Sequence, residues 1–293
     1  MTKPIKKVFV LMTGVLMLSA SLFIHCGGSG KGRKNQRITV KGSNTMVLLA
    51  RMWAVNYKKK NPKARLEISG SGSGIGIDAL IKGGTDLANA SRPMKPREMA
   101  KIKGKGAQVI SYVVAKDGIT IYVHKNNPVS ALTLDELKKI YTGKIRNWKE
   151  VGGQDKAIIL YGRENSSGTY EYFVDHVLHK KGFSIDTKPL QGTAQVVNAV
   201  SQDELGIGYG GAGFATGIKK IAVKKSAKEK GIAPSPENIL SGDYPLSRPL
   251  FIYTTDKILL KKKQVKPFVK WILSPDGQKL IEKAGYFPVS AAQ

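Results

Sequence analysis

The strongest constraint on the fold is a unit that occurs three times: a short apolar run, a turn rich in glycine or serine, then an amphipathic segment of helical period. The turns are Gly42 to Met46, Gly70 to Gly76 and Gly162 to Thr169. A strand that feeds a helix through a tight turn, again and again, calls for an α/β fold, because parallel neighbours in a sheet need crossover connections. Such sheets collect these turns at the carboxyl ends of their strands, where ligands bind. A single Gly-Ser turn says little, since these residues punctuate every fold. Three in one chain point to a site.

The remaining pattern agrees. Strands are expected at 38–40, 64–69, 109–115, 119–124, 157–161, 206–211, 218–223 and 248–253, and a short one from Asp86. Helices are expected over about 45–60, near 98–103, from Thr133, over 169–180 and 191–201, and at 261–272 and 275–284. Ser43 or Asn44 is a suitable N-cap for the first of them, and Thr133 with Glu136 forms a capping box for the helix that follows. The third glycine turn, Arg163-Glu164-Asn165-Ser166-Ser167-Gly168-Thr169, has the chemistry to hold an anion. Backbone donors, the positive end of a helix dipole and a forked guanidinium converge there.

The chain is strongly basic. The chain of 293 residues has 48 basic against 21 acidic side chains, a formal charge of +27. The basic residues are mostly lysine, spread over nearly every expected helix and loop, which reads as a solvated surface more readily than as a nucleic-acid footprint. At the amino end, Lys3, Lys6 and Lys7 precede an apolar run from Val8 to Ile24, the form of a secretory leader over residues 1–25. Cys26, the single cysteine, stands where such a leader ends, and the glycine-rich stretch after it reads as a tether over 26–37. Leu22-Phe23-Ile24-His25-Cys26 resembles a bacterial lipobox, so Cys26 is the expected lipidation site, with a membrane-anchored protein outside the cytoplasm as the consequence.

Several functions are excluded by spacing. No Gly-Lys pair lies in a P-loop, and the run from Gly70 to Gly76 lacks the third spaced glycine of a dinucleotide fingerprint. No Gly-x-Ser-x-Gly elbow is present. His176 and His179 have no evident third metal ligand. Neither an enzyme nor a metal or cofactor is expected.

Gly42-Ser43-Asn44-Thr45-Met46, Gly70-Ser71-Gly72-Ser73-Gly74, Asp86-Leu87-Ala88-Asn89-Ala90-Ser91-Arg92 and Arg163 to Thr169, in that order and supported by Gly206-Ile207-Gly208-Tyr209, resemble the PstS family of phosphate-binding proteins. The resemblance runs from about residue 38 to the carboxyl end. It implies a two-lobed, Venus-flytrap solute-binding fold of the periplasmic-binding-protein type. Lobe 1 would comprise 38–120 with 247–293 and lobe 2 residues 121–246. A single chain would capture inorganic phosphate between the lobes and deliver it to a Pst-type ABC permease and its ATPase. By motif, Ser43, Thr45, Met46 and Ser73 would donate to the anion, with Ser91 or Arg92 nearby, and Arg163, Ser167, Gly168 and Thr169 would be the opposing jaw. Asp86 would accept the proton that phosphate carries and sulfate lacks, and so reject sulfate by repulsion. Some relatives hold the arginine with an acidic residue two positions on. Asn165 stands there in this chain, leaving Glu164 or another group to orient Arg163. Another oxyanion (molybdate, tungstate or sulfate) on the same fold, or a cationic adhesin-like surface protein, are the alternatives.

Overall fold

The computed structural model describes residues 37–215 and 217–289. The leader, Cys26 and most of the tether lie outside the described residues. The chain opens with β1 (Arg37–Gly42), α1 (Val47–Lys60), β2 (Arg65–Gly70), α2 (Ser73–Lys82), β3 (Leu87–Ala90) and α3 (Pro96–Lys103). β1 pairs in parallel with both β2 and β3, so the carboxyl ends Gly42, Gly70 and Ala90 lie side by side. β4 (Val109–Val123) follows as one strand of 15 residues.

The sequence pattern predicts two strands here, broken at Asp117-Gly118. The structure shows one, because Asp117 is fully buried and paired with Arg248, so the polar residue has a partner inside the sheet and does not end it. The first part of β4 pairs antiparallel with β10 (Ser247–Thr255), while its last five residues pair with β8 (Gly206–Gly211). β4 therefore passes from one half of the molecule into the other.

The second half contains β5 (Ala131–Thr133), α4 (Leu134–Tyr141), β6 (Ile159–Arg163), α5 (Gly168–His176), β7 (Lys188–Leu190) and α6 (Thr193–Ser201). β9 (Lys219–Lys224) and α7 (Pro236–Ser241) complete it. α4 starts on the capping box read from the sequence: Glu136 N donates to Thr133 Oγ1 at 3.0 Å and Thr133 N to Glu136 Oε2 at 2.7 Å. β6 runs parallel to β7 and β8, which brings the ends of β6 and β7 together. After β10 the chain closes with α8 (Asp256–Lys261), α9 (Val265–Leu273) and α10 (Pro275–Lys283), where the sequence suggests a continuous helix over 261–272.

The two largest apolar cores are separate, one in each lobe. Ile38, Leu49, Trp53, Leu250, Phe268 and Ile281 belong to one; Ile121, Tyr141, Trp148, Phe173, Tyr209 and Leu246 belong to the other. The chain crosses between them near Gly118 and again near Leu246, and the crossings touch, with Ile119 N donating to Leu246 O at 2.9 Å. The fold is a mixed α/β one in two lobes, with the carboxyl ends of β1, β2 and β3 facing those of β6 and β7.

A candidate anion site between the lobes

Each jaw is shaped by a turn. In the second lobe Ser167 caps α5: its Oγ accepts from Thr169 N at 3.2 Å and Tyr170 N at 3.4 Å. Such a cap takes up donors that the first helical turn otherwise leaves free. Ser167 thus orders the jaw with its hydroxyl. In the first lobe Ser73 starts α2, and its Oγ accepts from Ser91 N at 3.1 Å and lies 3.3 Å from Ser91 Oγ. Thr45, just before α1, reaches across the cleft with Oγ1 at 3.0 Å from Thr169 Oγ1. Ser43, Thr45, Ser73, Ser91, Ser167 and Thr169 are all buried, although each carries a hydroxyl. Ser43 Oγ has no hydrogen-bond partner among the described residues.

The lobes are closed on one another. Gly74 N donates to Ser166 O at 3.1 Å, and Asn44 Nδ2 to Gln191 O at 2.7 Å. A Cβ on Gly168 would stand 2.3 Å from Ser73 Oγ and 2.8 Å from Ser91 Oγ, so only glycine lets the α5 start approach the first lobe this closely. At the rim, Arg92 forms a fork with Glu98, at 2.8 Å and 2.7 Å, and its Nε lies 3.0 Å from Glu171 of the opposite lobe. Lys95 reaches the same Glu171 carboxylate.

Arg163 carries a buried charge at the base of the second jaw. It ends β6 at 2% exposure, and its guanidinium donates to Thr193 Oγ1 at 2.9 Å, Gln191 O at 3.1 Å and Leu190 O at 3.3 Å. The turn between β7 and α6 therefore orients it. Glu164 does not: its Oε1 accepts from Asn44 Nδ2 at 3.3 Å, across the cleft. No carboxylate pairs with Arg163 among the described residues, and burial pulls its affinity for a proton below the ordinary arginine value. A buried charge without a counter-charge is costly. An anion is what this guanidinium lacks.

Arg248, by contrast, is paired. Its Nη2 and Nε donate to Asp117 Oδ2 at 2.7 Å and 3.1 Å, its Nη1 to Ser91 O at 2.9 Å, and Nη2 also to Thr169 Oγ1 at 3.0 Å. Burial pushes the Asp117 carboxyl up, against the pull of Arg248 and the Ala212 N–H. Sequence reasoning missed this pair and Thr193. An aspartate and an arginine each embedded in a β-rich stretch were the available signal.

Two expectations are corrected. Asp86 precedes β3, at the end of the sheet opposite Ser91. Its Oδ2 accepts from Thr39 N at 2.9 Å and Thr39 Oγ1 at 3.1 Å, and Lys262 Nζ lies 2.7 Å from Oδ1. Five residues of extended strand, roughly 16 Å, separate it from Ser91. A carboxylate held there cannot accept a proton from an anion at Arg163. Met46 is also remote in its side chain, which is wholly buried in the first lobe's core, and its N–H donates to Ser43 O at 3.1 Å. The other named residues, Ser43, Thr45, Ser73, Ser91, Arg163, Ser167, Gly168 and Thr169, come from the facing turns.

Residues 28–276 match the PBP superfamily domain. A Staphylococcus saprophyticus protein called phosphate-binding protein PstS is 35% identical over 284 residues, which covers 93% of this chain and 88% of that one. A candidate phosphate ABC transporter substrate-binding protein from Clostridium perfringens, solved with bound phosphate, is 31% identical with a TM-score of 0.78, over 87% of this chain and all of that one. An ABC-type phosphate transport receptor from Vibrio cholerae is 29% identical with a TM-score of 0.71, over 86% of this chain and 100% of its own. With its closed two-lobed fold, the matched superfamily domain and relatives of this likeness over nearly its whole length, the chain belongs to the PBP superfamily and, within it, to the PstS family.

Proposed function

We propose that the protein captures inorganic phosphate between its lobes, outside the cytoplasm, and hands it to a Pst-type ABC permease driven by its ATPase. The observation that carries this reading is Arg163, buried and oriented by three neutral acceptors, with no carboxylate paired to it among the described residues, beside facing turns that carry hydroxyls. A tetrahedral oxyanion supplies the missing charge and offers acceptors on several sides. Phosphate suits hydroxyl walls well, because a serine or threonine both donates to its oxygens and accepts from the proton it keeps near neutral pH. Ser43, Thr45, Ser73, Ser91 and Thr169 form the wall, Gly168 allows the approach, and Ser167 orders the second jaw. The protein acts as a receptor and catalyses nothing, in keeping with relatives whose names describe binding and transport. Cys26 is the proposed lipid anchor and the working form a monomer.

Calorimetric titration with inorganic phosphate tests this. Wild type binds it, and Arg163→Ala weakens binding by about 100-fold or more, the scale of a buried charge-assisted contact. An unchanged Kd for Arg163→Ala overturns the site. Sulfate in the same titration measures the selectivity that the hydroxyl walls give. Sulfate binding as tight as phosphate would make the protein a general oxyanion receptor.

A further inference from the structure

The far end of lobe 1, away from the cleft, has a composition of its own. The amino ends of β1 and β2 lie there, together with the carboxyl end of α1 and the link from α8 to α9. Ile38, Tyr57, Lys60, Pro62, Lys63 and Gln264 line one groove of about 480 Å³, which shows that these segments meet at a single surface. Three carboxylates at this end are already paired, Glu67 with Arg37, Asp276 with Lys60 and Asp86 with Lys262. Lys58, Lys59, Lys63, Lys261, Lys263 and Lys266 are exposed and form no ion pair among the described residues. In their midst Leu260 is 77% exposed, beside the run Lys261-Lys262-Lys263. The described chain also begins here, at Arg37, and the residues just before it include Lys31, Arg33 and Lys34.

We propose that this pole of lobe 1 docks on an anionic lipid surface, with the lysines over the headgroups and Leu260 entering the interface. Unpaired lysines around a bare apolar side chain match the two attractions of a peripheral membrane contact, charge and burial. A nucleic acid would use the charge and leave Leu260 without a purpose. The direction of the chain favours the membrane as well. Residues 26–36 span at most ~40 Å when fully extended, so an anchor at Cys26 keeps this pole, where the tether joins, near the bilayer. That point rests on the anchoring reading above; the lipid contact itself does not.

The test uses the chain from residue 26 onward carrying Cys26→Ser, so that no acyl chain contributes. Cosedimentation with phosphatidylglycerol–phosphatidylcholine vesicles is compared with phosphatidylcholine alone, and phosphate titration on the same samples reports the cleft separately. Binding to the anionic vesicles, weakened by salt, is expected. Lys58→Glu/Lys59→Glu/Lys261→Glu/Lys263→Glu should lower it by more than about 500-fold, since each of the four lysines contributes roughly fivefold near a charged surface and the reversed charges add repulsion. Leu260→Ser should lower it severalfold even at high salt. Lys224→Glu/Lys225→Glu/Lys228→Glu and Ile185→Ser, on lobe 2, should leave it within about twofold. Equal loss from the lobe 2 variants, equal binding to neutral vesicles, or displacement of the vesicles by single-stranded RNA at matched charge would each overturn the proposal. Loss of phosphate binding with vesicle binding intact would overturn the function proposed above and leave this one standing.

Discussion

Arg163 and Asp86 show how differently two charged residues from one set of motifs can be used. Among the described residues the Arg163 guanidinium donates only to neutral acceptors, which leaves its charge available to the anion proposed above. Asp86 is satisfied by Thr39 and Lys262 and joins α8 and its following link to the amino end of the sheet. Asp86→Asn is therefore expected to leave the phosphate Kd within about twofold while lowering the melting temperature by a few degrees, the usual scale for weakening a partly buried contact. Titration beside a thermal melt would check this, and a large loss of affinity would restore Asp86 to the site. The place of the arginine at the end of β6 could be read from its turn, because strand, glycine and helix start form a local pattern. The aspartate could not, because only the direction of β3 and the register against β1 decide which end of the sheet it occupies.

At the scale of elements, the helix starts hold the cleft together. A methyl group at Gly168 would collide with Ser73 and Ser91 across the lobes, but only when they are closed. Gly168→Ala should thus reduce phosphate affinity by at least tenfold yet leave the thermal stability of the ligand-free protein nearly unchanged; a matching loss in both would mean that the helix itself had failed. The rim cluster works in the opposite sense. Glu171 meets Arg92 and Lys95 from the other lobe, so Glu171→Gln should raise phosphate dissociation severalfold, as stopped-flow measurements can show. Glu98 supports that cluster. Burial alone would raise its pKa, but the hydrogen bonds from Arg92 and from the Lys95 backbone outweigh this and hold it below 4.5. A depressed carboxyl stabilises the fold above its unfolded pKa, and this contribution is lost as pH falls below about 4.5 towards the folded value. Acid melts of Glu98→Gln should accordingly be flatter than wild type in that window. The resemblance sets the Gly168 turn opposite Ser73, but the contacts of Arg92 and Lys95 with Glu171 were not legible in the sequence: the glycine pattern marks turns that can approach a partner, without naming the side chains that meet.

For the whole molecule, the sequence disclosed the alternation of strands and helices and the order of the motifs, and from them the class of fold. It concealed the continuity of β4, because a lone Asp-Gly in a β-rich stretch reads as a break until the arginine that neutralises it is placed, 131 residues further on. That pair lies where the chain passes between lobes and also touches Ser91 and Thr169, so it links the crossing to both jaws. Asp117→Asn should cost about 3–5 kcal/mol, since it leaves Arg248 buried without its counter-charge. A urea titration would measure this, and a loss below ~1 kcal/mol would mean that Arg248 finds another partner.

The place of β10 between β3 and β4 also dictates an order of assembly. Lobe 2 is contained within one continuous stretch of chain and can close as soon as that stretch is available. Lobe 1 lacks a central strand of its sheet until Ser247–Thr255 arrives, late in synthesis or export. A chain delivered amino end first therefore has one finished jaw and an open, unpaired sheet edge facing solvent until its last helices follow. That interval is when the protein is most exposed to mispairing, and when a holding chaperone would have most to protect.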